Sequence, residues 1–212
     1  MKNIPIFTTE YGVASLTLEK IPYTAQAYVV IQDSAHPDKL LKECVAFCCA
    51  AGAESVYASG ASFLEAYPLH TAIVSMSRKI AGLPPTDAML QPVRKETLST
   101  WRDIYNAKMQ DVSHAAFLSI RDSERLLQEG NCYFVYKGNV LLGIGVTGEN
   151  MIKAVASAVP GGGKDTLLAL CGALHSDAAV LEVAENNAAA IKLYKSLGFA
   201  KTGIVSHWYK IK

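Results

Sequence analysis

Three consecutive glycines, Gly161, Gly162 and Gly163, run directly into Lys164, Asp165 and Thr166. An apolar stripe at helical spacing follows, made of Leu167, Leu168, Cys171 and Leu174. Glycine lets the main chain approach a ligand closely with its amides turned inward. The start of a helix adds about half a positive charge, so the segment is a candidate anion site. A ligand phosphate held there would be bound mostly by main chain, which suits a chain with a formal net charge of only +1. A flexible turn from strand to helix would use the same residues. The nucleotide-binding loop GxxxxGK[ST] is excluded, because Asp165 stands where Ser or Thr is needed after Gly163-Lys164. Cysteine chemistry is less promising. Five cysteines is an odd number, and Cys44 and Cys48 share the apolar stripe of one expected helix with Leu41 and Val45. No His or Cys stands nearby at ligand spacing, so buried thiols in a reducing compartment are expected, and no metal site.

The elements around the glycine loop follow from periodicity. Thr97–Ala107 reads as a helix with Leu98, Trp101 and Tyr105 on one face, and Asp122–Glu129 as a second helix closed by Gly130. Cys132–Tyr136 and Val140–Val146 read as a hairpin turned by Lys137-Gly138-Asn139, and Met151–Ala156 as a third antiparallel strand. Hairpins ahead of the loop also argue against a dinucleotide fold, which needs parallel crossovers. After the loop helix come a strand at Ala179–Val183 and a helix capped by Asn187, carrying Ala190, Ile191, Tyr194 and Leu197 and ended by Gly198. Two short strands are expected near Thr202–Val205 and His207–Ile211. Upstream, Ala14–Leu18, Ala25–Ile31, Glu54–Ala58 and Thr71–Ser75 read as strands, and Asp38–Ala51 as a helix. Pro84-Pro85 and Pro92 place a linker at 82–95, between units at 1–81 and 96–212.

Within this frame the stretch Leu181 to Phe199 resembles the motif of the GNAT acyltransferases. That motif runs L-x-V, then N-x-x-A-x-x-L-Y-x-x-x-G-F, and Val183, Asn187, Ala190, Leu193, Tyr194, Gly198 and Phe199 stand in register. A capped amphipathic helix explains much of the pattern, but not the glycine loop, meander and two helices that precede it in the family's order. The resemblance covers roughly 92–212. It implies an α/β (α+β) GNAT fold, a mixed sheet flanked by helices and splayed between its fourth and fifth strands, with acetyl-CoA in the notch. The pantetheine would pair like an extra strand with Ile152–Ala158, at Ala154 and Ala156. Its pyrophosphate would rest on the loop from Val159 through Gly161, Gly162, Gly163, Lys164, Asp165 and Thr166. Aligned without a gap, the family's R-G-x-G-x-G/A falls on Val159–Lys164, so Val159 replaces the basic residue, Pro160 the first glycine and Lys164 the last small one. Lys164 is then a candidate for the missing charge, or simply a solvated residue at a helix start. By the same resemblance Asn187 would bond the pantetheine arm and Tyr194 would protonate the departing thiolate.

A general base does not stand out. The strand Met151–Ala156 carries no acid, which leaves Glu149 in the preceding turn, Glu182 on the next strand, and Asp111 and His114 in the loop roofing the acceptor site. Residues 10–80 resemble, by element order alone, a partial and degenerate GNAT-like half-domain. Its would-be loop, Asp33-Ser34-Ala35-His36-Pro37, has no glycine and carries an acid, so it should hold no CoA.

Composition narrows the partners. Of 212 residues half are hydrophobic and 18% charged, with no run of like charges, which argues against a nucleic-acid surface. No stretch approaches the ~18 apolar residues of a membrane span, and the N-terminus lacks a secretory signal, so no membrane partner and a cytoplasmic location are expected. The implied activity is acetyl transfer to a primary amine of a small molecule, peptide or protein, with a homodimer left open. A regulatory module that binds acyl-CoA without catalysis is the alternative, and a purely structural protein a third.

Overall fold

The computed structural model describes residues 5–212; residues 1–4, the first of the expected 1–81 half-domain, lie outside the described residues. The described residues divide into two compact units, one running up to Ile73 and taking in Ile204–Lys212, the other Val74–Gly203. The chain begins with β1 (Ile6–Thr9), β2 (Gly12–Thr17), α1 (Ile21–Thr24), β3 (Gln26–Ser34), α2 (Pro37–Ala50) and β4 (Ser55–Ser59). The long strand β5 (Leu69–Lys79) is followed by β6 (Met89–Pro92), α3 (Leu98–Met109) and α4 (Ile120–Glu129). Then come β7 (Cys132–Lys137), β8 (Val140–Thr147), β9 (Met151–Ser157), α5 (Gly163–Gly172), β10 (Ala178–Ala184), α6 (Ala188–Ser196) and β11 (Ala200–Lys210).

In the first unit β1, β2 and β3 form an antiparallel run, and β4 lies parallel to β3 after the crossover through α2. Pro37 sits in the first turn of α2, where its missing N–H costs no helical bond. Leu40, Leu41, Cys44 and Cys48 form the buried stripe of that helix and pack with Val29, Ile31, Val56 and Ala58. Burial pushes the Cys44 thiol up to about 12 and the Cys48 thiol up to about 11, so both stay protonated at neutral pH and pack as small apolar groups.

In the second unit the strand order is β5-β10-β9-β8-β7-β6. The run from β6 to β9 is antiparallel, and β10 joins β9 in parallel. Trp101 of α3 is fully buried against this sheet with Phe134, Ile144 and Val146, and its indole N–H donates to the Tyr133 carbonyl at 3.0 Å. The loop helix α5 packs on β8 and β9. A Cβ on Gly143 would fall 2.5 Å from Thr166 Oγ1, and one on Gly145 2.3 Å from Leu170, so these glycines allow α5 to lie directly on the strand.

Several boundaries differ from the expected ones. Within 82–95, read above as linker, Met89–Pro92 forms β6 and pairs with Tyr133–Tyr136 of β7. Pro92 is tolerated because β6 is the outermost strand of its unit. The two short strands expected at the C-terminus are one, β11. Residues 200–205 are exposed on both faces, so period-2 alternation is missing where the break was drawn. The strand at Thr71–Ser75 extends to Leu69–Lys79, and Ile6–Thr9 adds a strand that the sequence did not reveal.

Candidate functional site

β9 and β10 pair over only two positions, Val180 with Met151 and Leu181 with Ile152. Past that point β9 continues to Ser157 and β10 to Ala184, so the strands part and a notch opens between them. β9 stays paired with β8 throughout, with Lys153 as a bulge between Ile152 opposite Thr147 and Ala154 opposite Val146. The bulge falls where the parting begins. Ala154, Val155, Ala156 and Ser157 are half-buried, as expected of a strand open on one edge, whereas Gly143 to Thr147 of β8 are buried.

At the far end of β9 the glycine loop turns into α5. Gly161 adopts φ +79°, and a Cβ there would meet nothing within 4 Å. Gly162 is different. It is buried, and its Cβ would stand 2.6 Å from the Leu142 carbonyl oxygen and 3.1 Å from Val159. As N-cap of α5, Gly162 brings no side chain to the helix start. Its carbonyl accepts the first intrahelical bond from Thr166 N at 3.0 Å. The N–H groups of Gly163, Lys164 and Asp165 in the first turn therefore lack intrahelical acceptors. Lys164 is exposed. Asp165 turns elsewhere, accepting from Thr86 Oγ1 at 3.1 Å and lying 3.8 Å from Lys137 Nζ. Thr166 is fully buried, and its hydroxyl donates to the Gly162 carbonyl at 2.8 Å, so its side chain braces the loop from behind.

Across the notch α6 follows β10. Asn187 caps it, Oδ1 accepting from Ala190 N at 3.1 Å while the amide Nδ2 is left to donate. A Cβ on Gly163 would lie 3.3 Å from Leu193 Cδ2, so the start of α5 and the middle of α6 are in contact. Tyr194 is 7% exposed, and its ring packs against Phe199 with centroids 6.1 Å apart. Burial pushes the Tyr194 phenol up to about 12. A group in that range keeps its proton at every physiological pH and is a weaker acid than an exposed phenol.

The acids named from sequence stay dispersed. Glu149, Glu182 and Asp111 are exposed, and His114 is half-buried in the loop after α3 with φ +61°. Two further groups touch β9 and the residue after it. The Glu129 carboxylate, from the last residue of α4, stands 3.6 Å from Nζ of the bulge residue Lys153. Lys108, near the end of α3, donates to the Ala158 carbonyl at 3.4 Å, at the head of the glycine loop. Both come from distant helices, and no local spacing signals them. Among the described residues, no group of three or more His, Cys, Asp or Glu is placed to hold a metal, and no helix is long and apolar enough to cross a membrane.

The first unit repeats the connectivity without the opening. There β2, β3, α2 and β4 correspond to β8, β9, α5 and β10. β3 and β4 pair continuously from Gln26 with Ser55 to Val30 with Ser59. Where β9 and β10 part after two pairs, these strands stay zipped over five, and no notch forms.

No family model matches the chain, and no curated protein matches it in sequence. Solved structures match it by fold. A GCN5-related N-acetyltransferase from Kribbella flavida superposes with a TM-score of 0.55 at 13% identity, covering 99% of this chain and 90% of its own. A GCN5-related N-acetyltransferase from Sphaerobacter thermophilus gives 0.52 at 11% identity, covering 94% of this chain and 76% of its own. A tandem GNAT protein from the clavulanic acid biosynthesis pathway gives 0.50 at 13% identity, covering 94% and 78%. The chain thus has the mixed α/β fold of the GNAT superfamily.

Proposed function

We propose that this chain is an N-acetyltransferase that moves an acetyl group from acetyl-CoA to a primary amine of a small molecule, peptide or protein. The observation that carries the reading is the parting of β9 and β10, with the glycine loop on one side and the Asn187–Tyr194 helix on the other. The residues fit the co-substrate. The free edge of β9 at Ala154 and Ala156 offers main-chain groups to an extended amide chain. The first-turn amides of Gly163, Lys164 and Asp165 offer donors to a diphosphate, and Asn187 Nδ2 offers one more. Acetyl-CoA would supply an activated acyl group. Tyr194 holds the proton that the departing sulfur takes when the new C–N bond forms and the C–S bond breaks. The amine's own proton leaves to a base or water, and the candidate carboxylates are Glu149 in the turn before β9 and Glu182 on β10, next to the last paired position.

Val159 in place of a basic residue and the lack of an acid on β9 favour a second reading, a regulatory module that binds acyl-CoA without turnover. Incubation with acetyl-CoA and an amine library, read as free thiol, separates the two. Thiol release that depends on one class of amine supports the enzyme. CoA binding with no release supports the module. No thermal shift with any CoA species would leave a structural protein. A cytoplasmic location is part of the proposal.

The closed β3–β4 pair gives a further expectation. Titration calorimetry should find one CoA per chain, bound in the second unit. The Asp33–Pro37 leader adds an acid where inward amides would be needed. A stoichiometry of two would overturn the assignment of the first unit.

A further inference from the structure

Arg78 ends the inward face of β5, after Val74 and Met76, each 1% exposed. A guanidinium at the end of an apolar stripe needs acceptors, and here all of them are main chain. One terminal nitrogen donates to the Leu197 carbonyl, the other to the Gly82 carbonyl at 2.8 Å, and Nε to the Lys79 carbonyl at 3.2 Å. The group also lies beside α5: burial pushes the Cys171 thiol up to about 11, and the charge of Arg78 pulls the other way.

The end of α6 shows what this contact holds. Gly198, at φ +82°, donates to the Lys195 carbonyl at 2.9 Å, and Phe199 N donates to the Tyr194 carbonyl at 3.0 Å. This is a Schellman cap, with the Tyr194 and Phe199 rings as its apolar contact. The cap satisfies the carbonyls of Tyr194 and Lys195 and leaves that of Leu197, which Arg78 takes. A Cβ on Gly198 would fall 2.9 Å from Arg78 NH1, so cap and guanidinium are fitted closely together. Tyr194 lies three residues before the carbonyl that Arg78 grips.

We infer that Arg78 is a positioning residue for the general acid. By holding the Leu197 carbonyl it fixes the last turn of α6, and with it the aim of the Tyr194 phenol. The inference rests on the acid role proposed for Tyr194. It also gives a catalytic consequence to β5, the strand that leaves the first unit.

The test is a double-mutant cycle of Arg78→Ala and Tyr194→Phe, with Arg78→Lys as the conservative variant. Arg78→Ala should lower kcat by ~10–100-fold, the cost of a slightly misplaced group. Acetyl-CoA affinity by calorimetry should stay within about threefold, because the loop is untouched. Amide exchange at Gly198 and Phe199 should quicken, which is read without any turnover. Arg78→Lys should recover part of kcat, since an ammonium reaches one carbonyl but not three. In a Tyr194→Phe background Arg78→Ala should add little. If alanine unfolds the chain, Arg78→Gln serves the same cycle. A slow Tyr194→Phe whose loss multiplies fully with that of Arg78→Ala overturns this inference alone. Tyr194→Phe at the wild-type rate removes the acid role as well.

Discussion

Replacing Gly162 with leucine should weaken acetyl-CoA binding by ~10²–10⁴-fold while leaving a folded protein. The Cβ that any other residue adds would stand 2.6 Å from the Leu142 carbonyl oxygen, a main-chain atom that cannot swing aside. The loop must therefore move away from β8, carrying with it the first-turn amides of Gly163, Lys164 and Asp165. A hydrogen bond to a charged group is worth about 1.5–3 kcal/mol. Misaligning two of them gives the expected range, at a factor of ten for each ~1.4 kcal/mol. Overpacking of this kind costs stability by about 1–3 kcal/mol, which a domain of this size survives. Gly161 provides the contrast. It needs φ +79° but has open space around it, so Gly161→Ala brings backbone strain without displacing the loop and should weaken binding far less. Calorimetry on both variants checks the pair. Unchanged affinity in folded Gly162→Leu would show that the loop does not carry the diphosphate.

How much of this was legible beforehand depends on the range of the interaction. Asn187 as a cap, Gly198 as a helix stop and the hairpin at Lys137-Gly138-Asn139 are local devices, and the chain writes them in adjacent residues. The glycine run, read as a candidate anion site, is local in the same way. Spacing alone did not separate the glycines. Gly161 is free and Gly162 is wedged against Leu142, a contact across 20 positions that only β8 creates. Asp165 and Thr166 have similar sequence credentials, yet they serve Thr86 and the Gly162 carbonyl. Glu129 near Lys153, Lys108 at Ala158 and Arg78 at Leu197 all join elements far apart in the chain. No periodicity encodes such meetings. The missing notch in the first unit is similarly invisible, because Gln26–Val30 and Ser55–Ser59 are ordinary strands until their register is known.

The Tyr194→Phe variant should lose ~10²–10⁴ in kcat with acetyl-CoA affinity roughly retained. The register Asn187-x-x-Ala190-x-x-Leu193-Tyr194 puts the two polar side chains seven residues apart, about two turns of α6, and so on one face. If Asn187 meets the pantetheine arm, Tyr194 can meet its sulfur. Phenylalanine keeps the ring and its packing on Phe199, so stability should change little. The pH behaviour follows from burial. A phenol raised from 10.0 to about 12 is favoured in its neutral form by the fold. The stability it lends is complete below pH ~10 and is lost as pH rises through about 12. A thiol of reference value near ~8.5 leaves as thiolate beside a donor that is still fully protonated. Tyr194 should therefore contribute no falling limb to the kcat profile below pH ~10. Any limb seen there belongs to another group and should survive in Tyr194→Phe at reduced height. If the variant turns over at the wild-type rate on a good acceptor, Tyr194 is core packing, and solvent protonates the thiolate.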